Sequence, residues 1–294
     1  EKNIKNLKKI INDCSDLLNQ INLQDYEDLK FYVRPRGNYI TKNISKEILR
    51  IFSEKEILDI TKEILIHIAT KYDINYVKGK NLYTEISHSL LVSKFYYKIF
   101  NINIKDNEKL YDDFYHSLSS YFSENSDFWL QYAKMEMKLG DYSSAKIHLE
   151  QAIALNPKSY KIKHAIGQLH ILKSLTYNDF SQAKLEFEIG ERIMISQIDI
   201  NDAYPIHSYI DGFIQFHKKF RFELENSKVK ELYNIIKGGL EKFNNHALLL
   251  IIWKKYYKHL QKNNKTSLIK ISFEDMNLMK HVDIKKDAEE QYII

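Results

Sequence analysis

The sequence predicts an all-α protein: a solenoid of helical hairpins preceded by an N-terminal helical region. Glycine and proline are scarce, with 8 and 3 residues in a chain of 294, whereas strands joined by tight turns depend on both residue types. Apolar residues also recur every three or four positions through most of the chain, which is the spacing of an amphipathic helix. Because 44% of the residues are hydrophobic, the chain can bury a core.

The N-terminal region, residues 1–105, is predicted to be helical except in one segment. Its predicted helices are Ile4–Ile21, Ser45–Phe52, Glu54–Tyr72 and Leu82–Phe100. Between the first two, Leu29–Ile40 contains Arg34-Pro35-Arg36-Gly37, and proline and glycine so close together break a helix. Little or no β-sheet is expected in this chain, and Leu29–Ile40 is the segment in which a strand is expected if one forms. The single cysteine, Cys14, excludes an internal disulfide framework and a multi-cysteine zinc site.

Residues 106–265 are predicted to form the repeat domain, in which helices follow one another in pairs. The apolar periodicity gives these helices as Glu108–Phe122, Asp127–Leu139, Tyr142–Ala154, Tyr160–Ser174, Phe180–Ile195, Tyr204–Arg221, Ser227–Phe243 and His246–Lys262. The remaining residues, 266–294, are interpreted as a charged C-terminal tail, for which no structure is predicted.

One motif, Ser126–Ser159, has small, bulky and helix-breaking residues at the spacing of a two-helix repeat. Small residues let two helix backbones approach closely, bulky ones fill the space around them, glycine permits the reversal and proline ends the second helix. Eight residues fit: Trp129, Ala133, Gly140, Tyr142, Ala145, Leu149, Ala152 and Pro157. This spacing resembles a tetratricopeptide repeat, whose position 11 is normally aromatic but is Glu136 here.

Further copies follow the first motif with increasing divergence. Asn178–Lys184 mirrors Gly140–Lys146, with Phe187 and Gly190 in the places of Leu149 and Ala152, if a few extra residues are assigned to the turn between the helices. A third pair fits by helical pattern alone, with Gly212 as the candidate small residue. At least about three stacked units are usually needed to bury a continuous core.

Stacked repeats place their first helices side by side on a concave wall, so the resemblance implies a protein-binding groove. The predicted groove residues are Lys134, Met137, Lys138, Lys161, His164 and Gln168. Their lysines favour a partner of acidic character, and the alternative is an ordinary solvated face.

A lysine-rich stretch near the C-terminus supports a different function, nucleic-acid binding. Lysines there alternate with aromatic residues, so they could contact phosphates while the rings stack on bases. The same pattern fits an amphipathic helix with a solvated lysine face and aromatic residues in the core. The residues concerned are Trp253, Lys254, Lys255, Tyr256, Tyr257, Lys258, Lys262 and Lys265.

Motifs for catalysis, cofactors or metals are not found in the sequence. Gly79-Lys80 lacks the upstream glycine and the following serine or threonine of a phosphate-binding loop. His164 and His170 are spaced so that they fall on different faces of a helix. We therefore expect no enzyme activity, no cofactor and no metal in this chain. With no apolar run long enough to cross a bilayer and no signal peptide, no membrane partner and a cytoplasmic location are expected.

A longer pattern resembles a particular group of bacterial proteins. Ser126–Ala133, the repeat, and then His164–Gly167 are similar to the C-terminal helical region of STAND-type NTPases and SIR2-associated proteins of antiviral defence. The resemblance implies that this chain is the sensor part of a larger protein and detects a viral (phage) protein. Effector and NTPase modules would then lie upstream, and oligomerisation would occur through them.

Overall fold

The computed structural model describes residues 51–71, 87–88, 90–92, 104–198, 202–244 and 246–280. These residues contain ten α-helices and no strand. The helices are α1 (Glu54–Lys71), α2 (Glu108–Leu118), α3 (Ser126–Leu139), α4 (Tyr142–Leu155), α5 (Tyr160–Ser174), α6 (Phe180–Ile195), α7 (Tyr204–Phe220), α8 (Asn226–Lys242), α9 (Ala247–Lys262) and α10 (Phe273–Lys280). The all-α prediction is confirmed. Cys14, the helix predicted at residues 4–21 and the segment 29–40 lie outside the described residues.

Side-chain caps fix where the repeat helices begin. The side chains of Asn125, Asp141, Ser159 and Asp179 each accept a hydrogen bond from the backbone N–H three residues on. Such caps satisfy amides that have no partner within the helix. Asp141 and Asp179 begin the second helices of the two hairpins, as the alignment of the two copies predicts.

The first hairpin, α3 and α4, has the packing that the motif predicts. The three alanines of the motif, Ala133, Ala145 and Ala152, are buried together with Leu149, and Trp129 is only 9% exposed. The Trp129 indole donates a hydrogen bond to the Ser123 carbonyl oxygen at 2.8 Å. Gly140 ends α3 with a φ of 87°, a left-handed conformation that favours glycine. Pro157 lies in the exposed turn between α4 and α5.

The second hairpin, α5 and α6, brings two glycines into contact. A Cβ atom added to Gly190 would lie 2.8 Å from the Gly167 carbonyl oxygen and 2.8 Å from Ile171 Cγ1. The two backbones therefore approach more closely than any side chain at this position would allow. Phe187 is buried one turn before Gly190. The assignment of Gly190 as the small residue of the second copy is confirmed.

Glu136, which departs from the aromatic pattern, is paired across its hairpin. Its carboxylate lies 2.7 Å from His148 Nδ1 on α4. One repeat later, His170 on α5 lies 2.7 Å from the Glu186 carboxylate on α6. Both hairpins thus carry a histidine–glutamate pair at the same place with the two residue types exchanged. Burial raises the pKa of Glu136, and the hydrogen bond from His148 opposes that shift.

Exchanging the two residues of the first pair is expected to be tolerated, because the second hairpin already has that arrangement. Glu136→His or His148→Glu alone should each lower the free energy of unfolding by about 1–3 kcal/mol, since a buried group loses its complementary partner. The double variant should come within about 1 kcal/mol of wild type. Urea unfolding at neutral pH measures all four proteins. Losses that simply add in the double variant would contradict the equivalence of the two pairs.

Buried residues form two clusters, and both extend beyond the predicted repeat domain. The first joins α1 to the first hairpin, and Ile104, beside the boundary predicted near residue 105, is buried within it. The second cluster includes Ile269 and Met279. Residues 266–280, part of the charged tail for which no structure is predicted from the sequence, contain a 3-10 turn and α10. Ile269 and Met279 attach this otherwise charged segment to the second cluster.

Candidate protein-binding groove

Four helices, α3, α5, α7 and α9, contribute side chains to a single groove. Close packing sets its shape, since a Cβ atom on Gly212 of α7 would overlap the side chain of Ile171 on α5. The groove has a volume of about 710 Å³. Its lining begins at Lys138 near the end of α3, crosses α5 and α7, and ends on α9. These helices are the first members of successive pairs, as a concave repeat wall requires.

The floor of the groove is apolar. Ile171 and Ile214 are almost fully buried, while Leu172 and Leu175 are half-buried and border the open space. Half-buried leucines still lose water when a ligand covers them, which contributes roughly 25 cal/mol per Å² of apolar surface. The floor can therefore bind an apolar side chain.

The rim of the groove is basic. Its lining residues include five lysines and a single carboxylate, Asp211. Asp211 Oδ1 lies 3.3 Å from Lys255 Nζ, and Oδ2 accepts from Gln215 Nε2 at 2.7 Å. In the described part of the chain, no ion pair joins Lys218, Lys258 or Lys262 to a carboxylate. Positive charge therefore remains available to a ligand.

Three of the groove lysines form a ridge along α9. Lys255, Lys258 and Lys262 are spaced three and four residues apart, so they share one helix face. We call these three residues the lysine ridge. Lys258 and Lys262 are exposed. The ridge is about 10 Å long, given a rise of about 1.5 Å per helical residue.

Of the six groove residues predicted from sequence, Lys138 and Gln168 line this groove. Met137 and His164 are only 6% and 8% exposed, so they are core residues and not open contact positions. The two remaining residues, Lys134 and Lys161, lie outside the lining; Lys134 is half-buried and Lys161 is exposed.

His164 is buried because it lies on the side of α5 that faces α7. Its Nε2 atom is 3.0 Å from Ser208 Oγ. Burial, reinforced by the nearby positive charge of Lys134, lowers the pKa of His164 to about 4. The imidazole is therefore neutral at pH 7 and serves in packing between neighbouring helices.

The lysine-rich stretch divides between the groove and other surfaces. Its ridge residues line the groove. Lys265, by contrast, donates a hydrogen bond of 2.9 Å to Oδ1 of Asn226, the first residue of α8. Trp253 and Tyr256 are fully buried, and the Tyr256 hydroxyl donates to the Val229 carbonyl oxygen at 2.9 Å. The interpretation as an amphipathic helix with aromatic residues in the core is confirmed. From the sequence this stretch and the groove are rival surfaces, but the fold places the lysine ridge in the lining of the groove.

The α7 side chains of the groove were not predicted from the sequence; they include Ser208, Asp211, Gln215 and Lys218. The third pair showed a helical pattern without a register, so none of its side chains could be assigned to a face. Gly212 is the residue in the sequence that could have indicated the register, because a small residue is needed where α7 packs against α5. Its position against α5 fixes which face of α7 points to the groove.

Comparison with known families identifies the first repeat. Residues 126–169 match a family model described as the tetratricopeptide repeat, in agreement with the hairpin geometry. Such repeats generally mediate protein–protein interaction or scaffolding, and this is the coarse function that the match supports. No curated protein and no solved structure matches the chain.

Two further properties concern the described residues alone. None of their helices is both long enough and apolar enough to cross a membrane. Nor do they contain a group of three or more His, Cys, Asp or Glu side chains that could hold a metal ion.

Proposed function

We propose that this chain is a recognition module that binds a segment of a partner protein in the groove formed by α3, α5, α7 and α9. The observation that carries the proposal is the combination of a half-buried apolar floor with a polar rim on one concave surface. Protein segments present both apolar and polar side chains, and helical repeat arrays bind them on such surfaces. In this proposal the chain acts by binding and has no catalytic role.

The rival function, binding of single-stranded nucleic acid, uses only part of this surface. Stacking on aromatic rings contributes much of the affinity in such complexes. Trp253 and Tyr256, two of the three rings beside the lysine ridge in sequence, are in the core and cannot stack on a base without unfolding α9. The third, Tyr257, is half-buried and packs against the same core. A nucleic acid would also leave Leu172 and Leu175 without an apolar partner. A protein segment is therefore the better match.

Filling the groove with a large side chain tests the proposal. Peptides selected from a displayed random library on the wild-type chain serve as probes. Gln168→Trp, which fills the groove, should weaken their binding by at least about tenfold, as loss of a central contact region does in other interfaces. Gln151→Trp, on the exposed side of α4, is the matched control and should have little effect. Peptides that bind both variants like wild type would contradict the proposal.

A finer proposal concerns biological context. We propose that the groove is the sensor of a larger bacterial defence or signalling protein and that its target is a viral (phage) protein. Support comes from the resemblance of Ser126–Ala133 and His164–Gly167 to defence proteins, together with the groove. Bacteria carrying the complete gene should survive phage infection, and Gln168→Trp should abolish that protection at unchanged protein level. Protection that persists in the variant would separate the groove from defence.

A further inference from the structure

A buried histidine lies beside the lysines that line the α7 and α9 side of the groove. His259 on α9 is 4% exposed and has Lys218 and Lys262 as charged neighbours. Burial is the main reason why its pKa falls to about 4, and His217 and the two lysines lower it further. The imidazole is thus neutral at pH 7. Lys218 and Lys262 carry the positive charge at this end of the groove, and among the described residues no ion pair joins either of them to a carboxylate.

The apolar floor and the lysine ridge belong to the same groove, so one ligand can contact both. Leu172 of α5 and Leu175, the residue that follows α5, line it on one side, and the ridge lines it from α9. A ridge about 10 Å long matches about three residues of extended peptide, at about 3.3 Å per residue. A segment that fits would therefore carry two or more acidic residues within about four positions, next to an apolar residue.

Building on the proposed function, we propose that the partner segment is acidic. Its carboxylates pair with Lys218, Lys258 and Lys262, and an adjacent apolar side chain packs against Leu172 and Leu175. Charge complementarity carries the inference, because the only groove carboxylate among the described residues, Asp211, is already engaged by Lys255 and Gln215. Complementary charges at a groove speed association and exclude partners of the wrong sign.

Three probes of equal length test the inference on the 294-residue chain. One is a peptide pool containing glutamate and leucine in random order, the second has glutamine in place of glutamate, and the third is a single-stranded oligonucleotide. Binding is measured for wild type, for Lys258→Glu/Lys262→Glu on the ridge, and for Lys254→Glu/Lys265→Glu. The last variant is the matched control, because it has the same change in charge outside the groove lining. Lys254 lies on α9, and Lys265 follows the end of that helix.

The glutamate pool should bind wild type at least about tenfold more tightly than the glutamine pool, and the ridge variant should lose at least about tenfold. The control variant should stay within about twofold of wild type. Raising the salt from about 0.1 M to about 1 M should weaken binding of the glutamate pool, because exposed charges are screened. Circular dichroism confirms that each variant is folded.

Two outcomes would overturn the inference. Equal binding of the two pools, with the ridge variant unaffected, would show that charge does not select the partner. If Gln168→Trp still abolished that binding, the proposed function would stand while the acidic partner was rejected. Oligonucleotide binding tighter than that of the glutamate pool, and lost in the ridge variant, would instead assign the surface to nucleic acid.

Discussion

Replacing Gly190 by leucine is expected to lower the free energy of unfolding by about 3 kcal/mol, the upper end of the usual range for overpacking. Two of the three nearest atoms belong to the backbone, which cannot move aside as a side-chain end can. They are the Gly167 carbonyl oxygen, 2.8 Å from the new Cβ, and the Ile171 backbone nitrogen at 3.0 Å. Because both belong to the α5 backbone, α5 and α6 would have to separate.

Gly238 provides the matched control for this substitution. It also lies within a helix, α8, but a Cβ atom there would meet nothing within 4 Å. Gly238→Leu should raise the free energy of unfolding by up to about 1 kcal/mol, because leucine is the better helix former. Urea unfolding measures both variants. A Gly190→Leu protein as stable as wild type would mean that the second hairpin is packed differently.

Acidification is expected to destabilise the protein through two buried histidines. The pKa values of His164 and His259 lie near 4 in the folded chain, against 6.5 for an unperturbed histidine. Between these values the unfolded state binds more protons, so stability is full above pH 6.5 and is lost as the pH falls towards 4. At about 1.36 kcal/mol per pKa unit, each histidine contributes up to about 3 kcal/mol.

The measurement is the pH dependence of urea unfolding for wild type, His164→Gln and His259→Gln. Carboxylates also contribute below pH 5, so the informative quantity is the difference in slope between wild type and each variant. Each replacement should flatten the decline between pH 6.5 and 4. His116→Gln, at an exposed position of α2, controls for loss of a surface imidazole. Identical slopes for all four proteins would contradict the burial of the two histidines.

The sequence by itself determined the helices of the repeat domain and the first hairpin. Tyr160–Ser174 and Phe180–Ile195 were predicted with the bounds that the structure shows, because apolar period, caps and turn residues act within a few positions of one another. The spacing of Trp129, Gly140 and the alanines likewise identified a hairpin, since its two helices are adjacent in the chain.

Contacts between helices that are distant in sequence were decided by the tertiary structure. Met137 and His164 occupy the repeat positions expected to face the groove, yet both are buried, and His164 contacts Ser208 of α7. Lys138 of α3 and the lysine ridge of α9 are separated by more than a hundred residues in the sequence, yet both line one groove. The direction of a side chain relative to a neighbour depends on how successive pairs stack. That stacking is set by packing of small residues such as Gly212, and the periodicity of a single helix does not encode it.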